Sequence, residues 1–508
     1  MSCSKLVGAL TAAIVAIGAL VTAQSGLPAF RALMSDVAPP GIDTGVRDAD
    51  APREPRPNNF DRSSSLPYLR GSIVVKFKPG TAMASQRAML ARSGASTMEA
   101  PPYSDFEIVT IDDTADPERA AQAFAAQPDV EYAQARYRIH PMFVPNDPLY
   151  SMQWNYPAID MERAWDVNPG ASSSVIVAVL DSGVAFRNEV LRFNIPAWSL
   201  SDGTSFRALG PTNIPFGAAP DLGGADRFVS PRDFIWDDTN PVDLDGHGTH
   251  VSGTIGQLTN NGVGVAGMAF NVRIMPVKVI SSLWDDVFGS PYEGTDDVVA
   301  RGVRYAVDNG ARVLNMSIGR TGPPAPVVQD AIAYAVRNGA FVAVAAGNDF
   351  QVGNGVERLA EFAPQIQGMV AVGAIGRDRL RAYYSNAGPY IEIVAPGGNQ
   401  RSGGTAGGIL QQTYDFSVVD TYLNGAARYG APRFDTFAYQ FFQGTSMATP
   451  HVAGLAALLM QQGITNPAAI EAAIEQFATD LGPTGRDDQY GYGLINPRAS
   501  LRGLGLAK

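Results

Sequence analysis

The hydrophobic and polar positions fall into two textures along the chain. Between residues 70 and 142 the apolar positions come in short blocks. Residues 72–77, 106–111 and 130–139 read as strands, and 83–92 and 117–126 as helices, the second opened by Pro117. This β-α-β-α-β order predicts a compact α+β module. Beyond Trp165 the apolar runs become continuous and β-branched, at 175–180, 272–280, 313–316, 341–345 and 369–372, with helical spacing at 295–308 and 327–338. Strands buried on both faces and alternating with helices predict an α/β domain over residues 146–508, with a mainly parallel sheet between two helical layers. In such sheets chemistry collects at the carboxyl ends of the strands.

The first 69 residues show neither texture. Lys5 precedes an apolar run over 6–21 that closes on Val21-Thr22-Ala23, which reads as a secretory signal over residues 1–23. The run is shorter than the roughly 20 residues of a spanning helix, so no stable membrane insertion is expected. Residues 24–69 mix Pro39, Pro40, Pro52, Pro55, Pro57 and Pro67 with polar residues, the pattern of a disordered leader or linker. The expected location is therefore outside the cytoplasm, extracellular or periplasmic.

Composition narrows this picture. The 38 basic against 49 acidic residues give a net charge of −11, which opposes sequence-independent binding to nucleic acid or anionic membranes. The 53 glycines and 36 prolines predict many turns and long connections. The single cysteine, Cys3, lies in the signal, so a mature chain rests on its core and on bound ions rather than on disulfides.

Three separated segments carry the chemistry. They are Asp181-Ser182-Gly183 at the end of the first long-domain strand, His247-Gly248-Thr249-His250 after Asp245-Gly246, and Gly444-Thr445-Ser446-Met447-Ala448-Thr449-Pro450 far downstream. In this order they closely resemble the Asp, His and Ser motifs of the subtilisin-like serine protease family. The likeness runs from about Asn146 to Asn496. A serine hydroxyl becomes a useful nucleophile when an imidazole accepts its proton and a buried carboxylate fixes the imidazole's tautomer. Ser446, His247 and Asp181 are the candidates for these roles. The apolar helix expected after Ser446 would also put its positive end near a developing oxyanion.

The resemblance implies more than the triad. Asn348, in Ala345-Ala346-Gly347-Asn348, takes the place of the family's side-chain oxyanion donor. Ser317, Ile318 and Gly319 match the strand that pairs with an extended substrate, and Asp349 matches the rim of the pocket for the residue before the scissile bond, where an acid would tolerate Lys or Arg. The family's calcium loop corresponds to 258–265, with Asp147, Leu258, Asn260, Val263 and Val265 as ligands. Val190 stands where the family has a further carboxylate, with Glu189 one place off. Residues 70–142 resemble the family's ferredoxin-like propeptide, a folding assistant that then inhibits the enzyme, with self-cleavage expected near Met142 or Phe143. The implied protein is a secreted, monomeric serine endopeptidase acting on polypeptides through an acyl-enzyme.

Other readings have weaker support. A metal pair of His247 and His250 lacks the Glu of the zinc protease motif, because Gly248 follows the first histidine. A lipase elbow would need glycine where Ala448 stands. The acidic run Asp233, Asp237, Asp238, Asp243 and Asp245 lacks the EF-hand register and reads as a solvated loop. A catalytically silent peptide-binding relative and a narrow-specificity processing protease stay open. The long stretches over 181–247, 281–294 and 399–443 read as insertions around the groove.

Overall fold

The computed structural model describes residues 68–137, 143–201, 203–419 and 430–503. The expected signal, most of the leader, His140 and Met142 lie outside these residues. Among them, no helix is long and apolar enough to cross a membrane.

The N-terminal module has the expected order with one addition. Strand β1 (Tyr68–Phe77) is followed by helix α1 (Met83–Arg92), β2 (Thr97–Glu99), β3 (Glu107–Thr110), α2 (Pro117–Ala125) and β4 (Val130–Tyr137). The sheet order is β2-β3-β1-β4, with β1 central and antiparallel to β3 and β4. β2 is too short to register as a period. Asp116 caps α2 by accepting the Glu118 N–H at 3.0 Å, and Pro117 occupies a first-turn position where no N–H is needed. Ile73, Val75, Val109 and Phe124 form a core separate from that of the larger domain.

The larger domain is built on seven parallel strands. In chain order the elements that position the site are β5 (Ile176–Asp181), β6 (Glu189–Ile195), β7 (Gly210–Phe216), β8 (Arg232–Asp233), α3 (His247–Gly256) and β9 (Arg273–Lys278). Next come α4 (Asp296–Asp308), β10 (Val313–Met316), α5 (Pro326–Arg337), β11 (Phe341–Ala345), β12 (Met369–Ile375) and β13 (Ile393–Pro396). The antiparallel ribbon β14 (Ile409–Tyr414) and β15 (Phe437–Phe442) precedes the long helix α6 (Thr445–Gln461). The sheet order is β8-β9-β5-β10-β11-β12-β13. Strand order reverses beside β5, whose neighbours β9 and β10 both come later in the chain. Such a switch point opens a crevice at the carboxyl ends of the strands, where Asp181 stands. The strands from β9 to β13 are buried almost throughout, which is why the sequence shows them as unbroken apolar runs.

Two of the long stretches turn out to be paired structure. β6 and β7 form an antiparallel hairpin, and the β14–β15 ribbon lies against α3. The 281–294 stretch carries a short helix, Leu283–Phe288, closed by a reciprocal cap between Ser282 and Asp285. Asp285 also forms a fully buried ion pair with Lys278 at 2.7 Å.

Candidate active site

The aspartate motif is explained by what its three residues touch. Asp181 is fully buried at the end of β5, and its Oδ1 accepts the Ser182 N–H at 2.8 Å and lies 2.7 Å from His247 Nδ1. This pairing sets the imidazole tautomer, with the proton on Nδ1 and Nε2 free to accept. The Ser182 hydroxyl accepts the Gly248 N–H and donates to Asp243, each at 2.9 Å, so it ties the strand end to the start of α3. Gly248 is required because a Cβ there would lie 2.1 Å from the Gly183 carbonyl oxygen.

Asp243 is the hub of this corner, and it corrects the reading of the acidic run as solvated. Asp243 and Asp233 are fully buried. Asp243 Oδ1 accepts from Ser182 Oγ, the Asp245 N–H and the Gly246 N–H, and Oδ2 from the Thr249 N–H and hydroxyl, at 2.6–3.0 Å. One carboxylate therefore fixes the strand end, the loop and the first turn of α3. The β14–β15 ribbon closes the same loop: Thr413 donates to the Gly246 carbonyl at 2.7 Å and Tyr414 to the Asp243 carbonyl at 2.9 Å.

His247 keeps about a quarter of its side chain exposed. Burial disfavours its charged form, but the Asp181 carboxylate, with Asp245 and Asp243 behind it, outweighs this and raises the imidazole to about 9. The other two described histidines are packed groups. His250 is fully buried, stacks on Phe442 and bonds the carbonyls of Ile409 and Gln440 at 3.1 Å, with burial lowering its pKa to about 3. His451 sits between the Met447 carbonyl and the Asn155 amide, both at 2.9 Å. His250 is therefore committed to the ribbon and does not share a ligand site with His247.

Ser446 lies in the first turn of α6. Pro450 has no N–H to offer the carbonyl four residues before it, which is that of Ser446. The Ser317 hydroxyl takes that carbonyl instead, at 2.8 Å, and the Ser446 hydroxyl donates in return to the Ser317 carbonyl at 3.1 Å. Asn315 pairs with Val179 across β10 and β5, so Ser317, two residues further, is level with Asp181 on the neighbouring strand. The clasp thus sets Ser446 one strand away from the Asp181–His247 pair. In this structure the hydroxyl bonds Ser317 rather than the imidazole.

Asn348 follows β11. Its Oδ1 accepts from the Thr445 N–H at 2.9 Å and the Thr445 hydroxyl at 3.0 Å, which turns the amide so that Nδ2 is free to donate. A Cβ placed on Gly444 would lie 3.8 Å from that Nδ2 and 3.6 Å from the Ser446 nitrogen, so both donors border one small space. Of the remaining groove residues, Ser317 and Ile318 are buried and Gly319 is exposed, while Asp349 is half-buried with its N–H held by Asn386 at 2.6 Å.

The 258–265 loop encloses two acids. Asp147 is buried and accepts the N–H groups of Asn260 at 2.7 Å and Asn261 at 3.3 Å. The second acid, which sequence reasoning missed, is Asp221. It is fully buried and accepts from Asn261 Nδ2 at 2.7 Å, and from the Val265 N–H and the Tyr439 hydroxyl at 3.3 Å. Its carbonyl takes the Leu258 N–H, and the Val263 N–H goes to Asn261 Oδ1. Asn260 instead directs its side-chain carbonyl to the Asn146 N–H at 3.2 Å. Val190 is exposed on the β6–β7 hairpin, and Glu189 bonds Arg187 and Asn240, so neither reaches this loop. Among the described residues no cation pairs with Asp147 or Asp221, and burial raises the Asp221 pKa.

The wider comparisons agree with this architecture. The Subtilase family model matches residues 172–493, and the Fervidolysin N-terminal prodomain model matches 54–135, starting within the proline-rich stretch. The chain belongs to the subtilase family. It is 32% identical over 431 residues to the thermophilic serine proteinase of Bacillus sp. (strain AK1), covering 84% of this chain and 86% of that one. It is 31% identical over 418 residues to the extracellular protease of Xanthomonas campestris pv. campestris, covering 78% and 63%. Among solved structures, a protease from Pseudoalteromonas arctica matches with a TM-score of 0.54 at 28% identity, covering 72% of this chain and all of that one. The protein is a subtilisin-like serine endopeptidase with an N-terminal prodomain.

Proposed function

We propose that this chain is the precursor of a secreted protease that hydrolyses peptide bonds with Asp181, His247 and Ser446. The 2.7 Å contact between Asp181 and His247, one strand from the Ser446–Asn348 corner, carries this reading. For reaction the Ser446 hydroxyl leaves the Ser317 carbonyl and donates to His247 Nε2. The imidazole takes its proton as the oxygen attacks the substrate carbonyl, and Asp181 stabilises the imidazolium. Asn348 Nδ2 and the Ser446 N–H donate to the oxyanion. The imidazolium then protonates the leaving amine, and water releases the acyl group from Ser446.

Because the base must be neutral, the raised His247 pKa sets the pH profile. kcat/KM and the rate at which a serine-directed phosphonate labels Ser446 should climb together with pH, reach half their maximum near 9 and level off only above it. A plateau already reached at pH 6 would contradict the part given to the Asp181–His247 pair, and no labelling of the matured protein would favour the silent peptide-binding reading.

Export is supported by the N-terminal apolar run and by the relative from Xanthomonas that is called an extracellular protease. The prodomain fits an intramolecular inhibitor that the enzyme removes itself. Phe143 packs edge-to-face on Trp165 and stacks on Phe270, and its N–H is held by Asp166 at 3.0 Å, which favours a cut on the N-terminal side of Phe143.

Two buried acids held against an oxygen-rich loop, without a described cationic partner, fit a structural calcium ion. Asp147, Asp221 and Asn261 are the side chains that would hold it, with loop carbonyls completing the set. It would neutralise the two carboxylates and tie the start of the domain to the loop after α3. Removing it with a chelator should lower the melting temperature by several degrees, restored by calcium and not by magnesium. An unchanged transition would remove the site.

A further inference from the structure

We propose that Glu357 makes the pocket for the residue before the scissile bond a cation pocket, selecting Lys or Arg. This rests on the protease assignment above. The segments 317–319 and 346–348 are both bonded to the Thr445–Ser446 corner, one through Ser317 and the other through Asn348. A substrate whose carbonyl faces Asn348 and the Ser446 N–H must send the side chain of that residue between them.

Glu357 lies there. A Cβ on Gly319 would fall 2.3 Å from its carboxylate, so glycine there leaves room for this side chain; on the other segment a Cβ on Gly347 would meet the Asn386 amide at 2.3 Å and the Glu357 Cβ at 3.3 Å, so the stem of Glu357 borders that segment too. Glu357 is only 3% exposed. Its Oε1 accepts the N–H groups of Arg320 at 2.6 Å and Leu359 at 3.2 Å, which pins the carboxyl group, and Oε2 takes no hydrogen bond from a described residue.

The neighbouring cations are engaged elsewhere. Arg320 directs its guanidinium to Asp296, with Nε 2.7 Å from Oδ1, and Arg358 pairs with Glu361 at 2.6 Å. Asp349 adds a second negative charge nearby. Burial, with Asp349 behind it, raises the Glu357 pKa to about 7 against the pull of the two amides and of the Arg320 charge, which makes no hydrogen bond to it from its guanidinium. A substrate ammonium or guanidinium would supply the missing partner in a desolvated site, where a charged hydrogen bond discriminates strongly.

A peptide-library cleavage profile of the mature enzyme tests this. Wild type should prefer Lys or Arg over Phe and Leu at that position by at least tenfold in kcat/KM, and butylammonium should inhibit it competitively. Glu357→Gln keeps the oxygen that binds the two backbone amides. It should lose the preference and the inhibition while still cleaving after apolar residues. A wild-type preference for apolar or small residues, or a variant that still favours bases, overturns the proposal. Butylammonium inhibition of wild type keeps the pocket testable even if the variant does not fold, and its absence would count against a cation site. If no peptide is cleaved and no phosphonate binds, the protease assignment itself fails, an outcome distinct from cleavage without basic preference.

Discussion

Ser446→Ala is expected to lower kcat/KM by about 10⁶-fold and to leave the purified chain at precursor size. The magnitude follows from removing the only atom that can form the acyl-enzyme, which leaves what the oxyanion donors and substrate binding supply. The fold should survive. The Ser446 carbonyl still accepts from Ser317, and the lost hydroxyl contributes one bond, at 3.1 Å to the Ser317 carbonyl. Thermal unfolding of the variant should therefore stay close to that of the wild-type precursor. Conversion to mature size in the absence of any other protease would show that the cut is not self-inflicted, and residual activity above a thousandth of wild type would remove Ser446 as the nucleophile.

Asp181→Asn should cost about 10⁴-fold in kcat with little change in KM. The asparagine side chain matches the carboxylate in shape but offers either a carbonyl or an NH₂ group. One carboxylate oxygen serves both the Ser182 N–H and the imidazole, so an asparagine carbonyl in its place keeps the bonds but loses the charge that stabilises the imidazolium, while an NH₂ there favours the tautomer that cannot accept the serine proton. A second readout separates this from a general loss of structure. The carboxylate raises the His247 pKa, so its removal should move the rising limb of the pH profile to lower pH. A loss in activity with the limb unmoved would mean that Asp181 acts on something other than the imidazole.

Both substitutions fall on residues that could be read from the chain, and the reason is local. Asp181-Ser182-Gly183, His247-Gly248 and Gly444-Thr445-Ser446 each gather into a few consecutive positions a glycine that allows a close approach or a hydroxyl that holds a fixed bond, although the partners lie far along the chain. Such constraints show in two or three consecutive letters. The buried strands were legible for a similar reason, since a parallel strand covered on both faces has to be apolar at every position. Where the strand was short, as in Thr97–Glu99, the burial partial, as in β15, or the buried positions polar, as at Gln411 and Gln412 in β14, the pattern carried no signal.

The groups that hold the site together were not legible one by one. Asp243 looks like any acid in an acidic loop until five donors from three segments converge on it. Asp221 follows a long hairpin, so spacing from Asp181 pointed to the exposed Val190 instead. Glu357 faces Gly319 across a fold in which neither position predicts the other.

The sequence by itself determined the class of chemistry, the order of the three motifs, the parallel sheet and the presence of a separate N-terminal module, because short-range geometry and uniform burial leave periodic or consecutive marks. Tertiary structure alone decided which carboxylates are buried, which cations are already paired, and which carbonyl Pro450 leaves for Ser317. Those outcomes depend on atoms far apart in the chain, and the energy of a charge is set by its surroundings rather than by its neighbours in sequence.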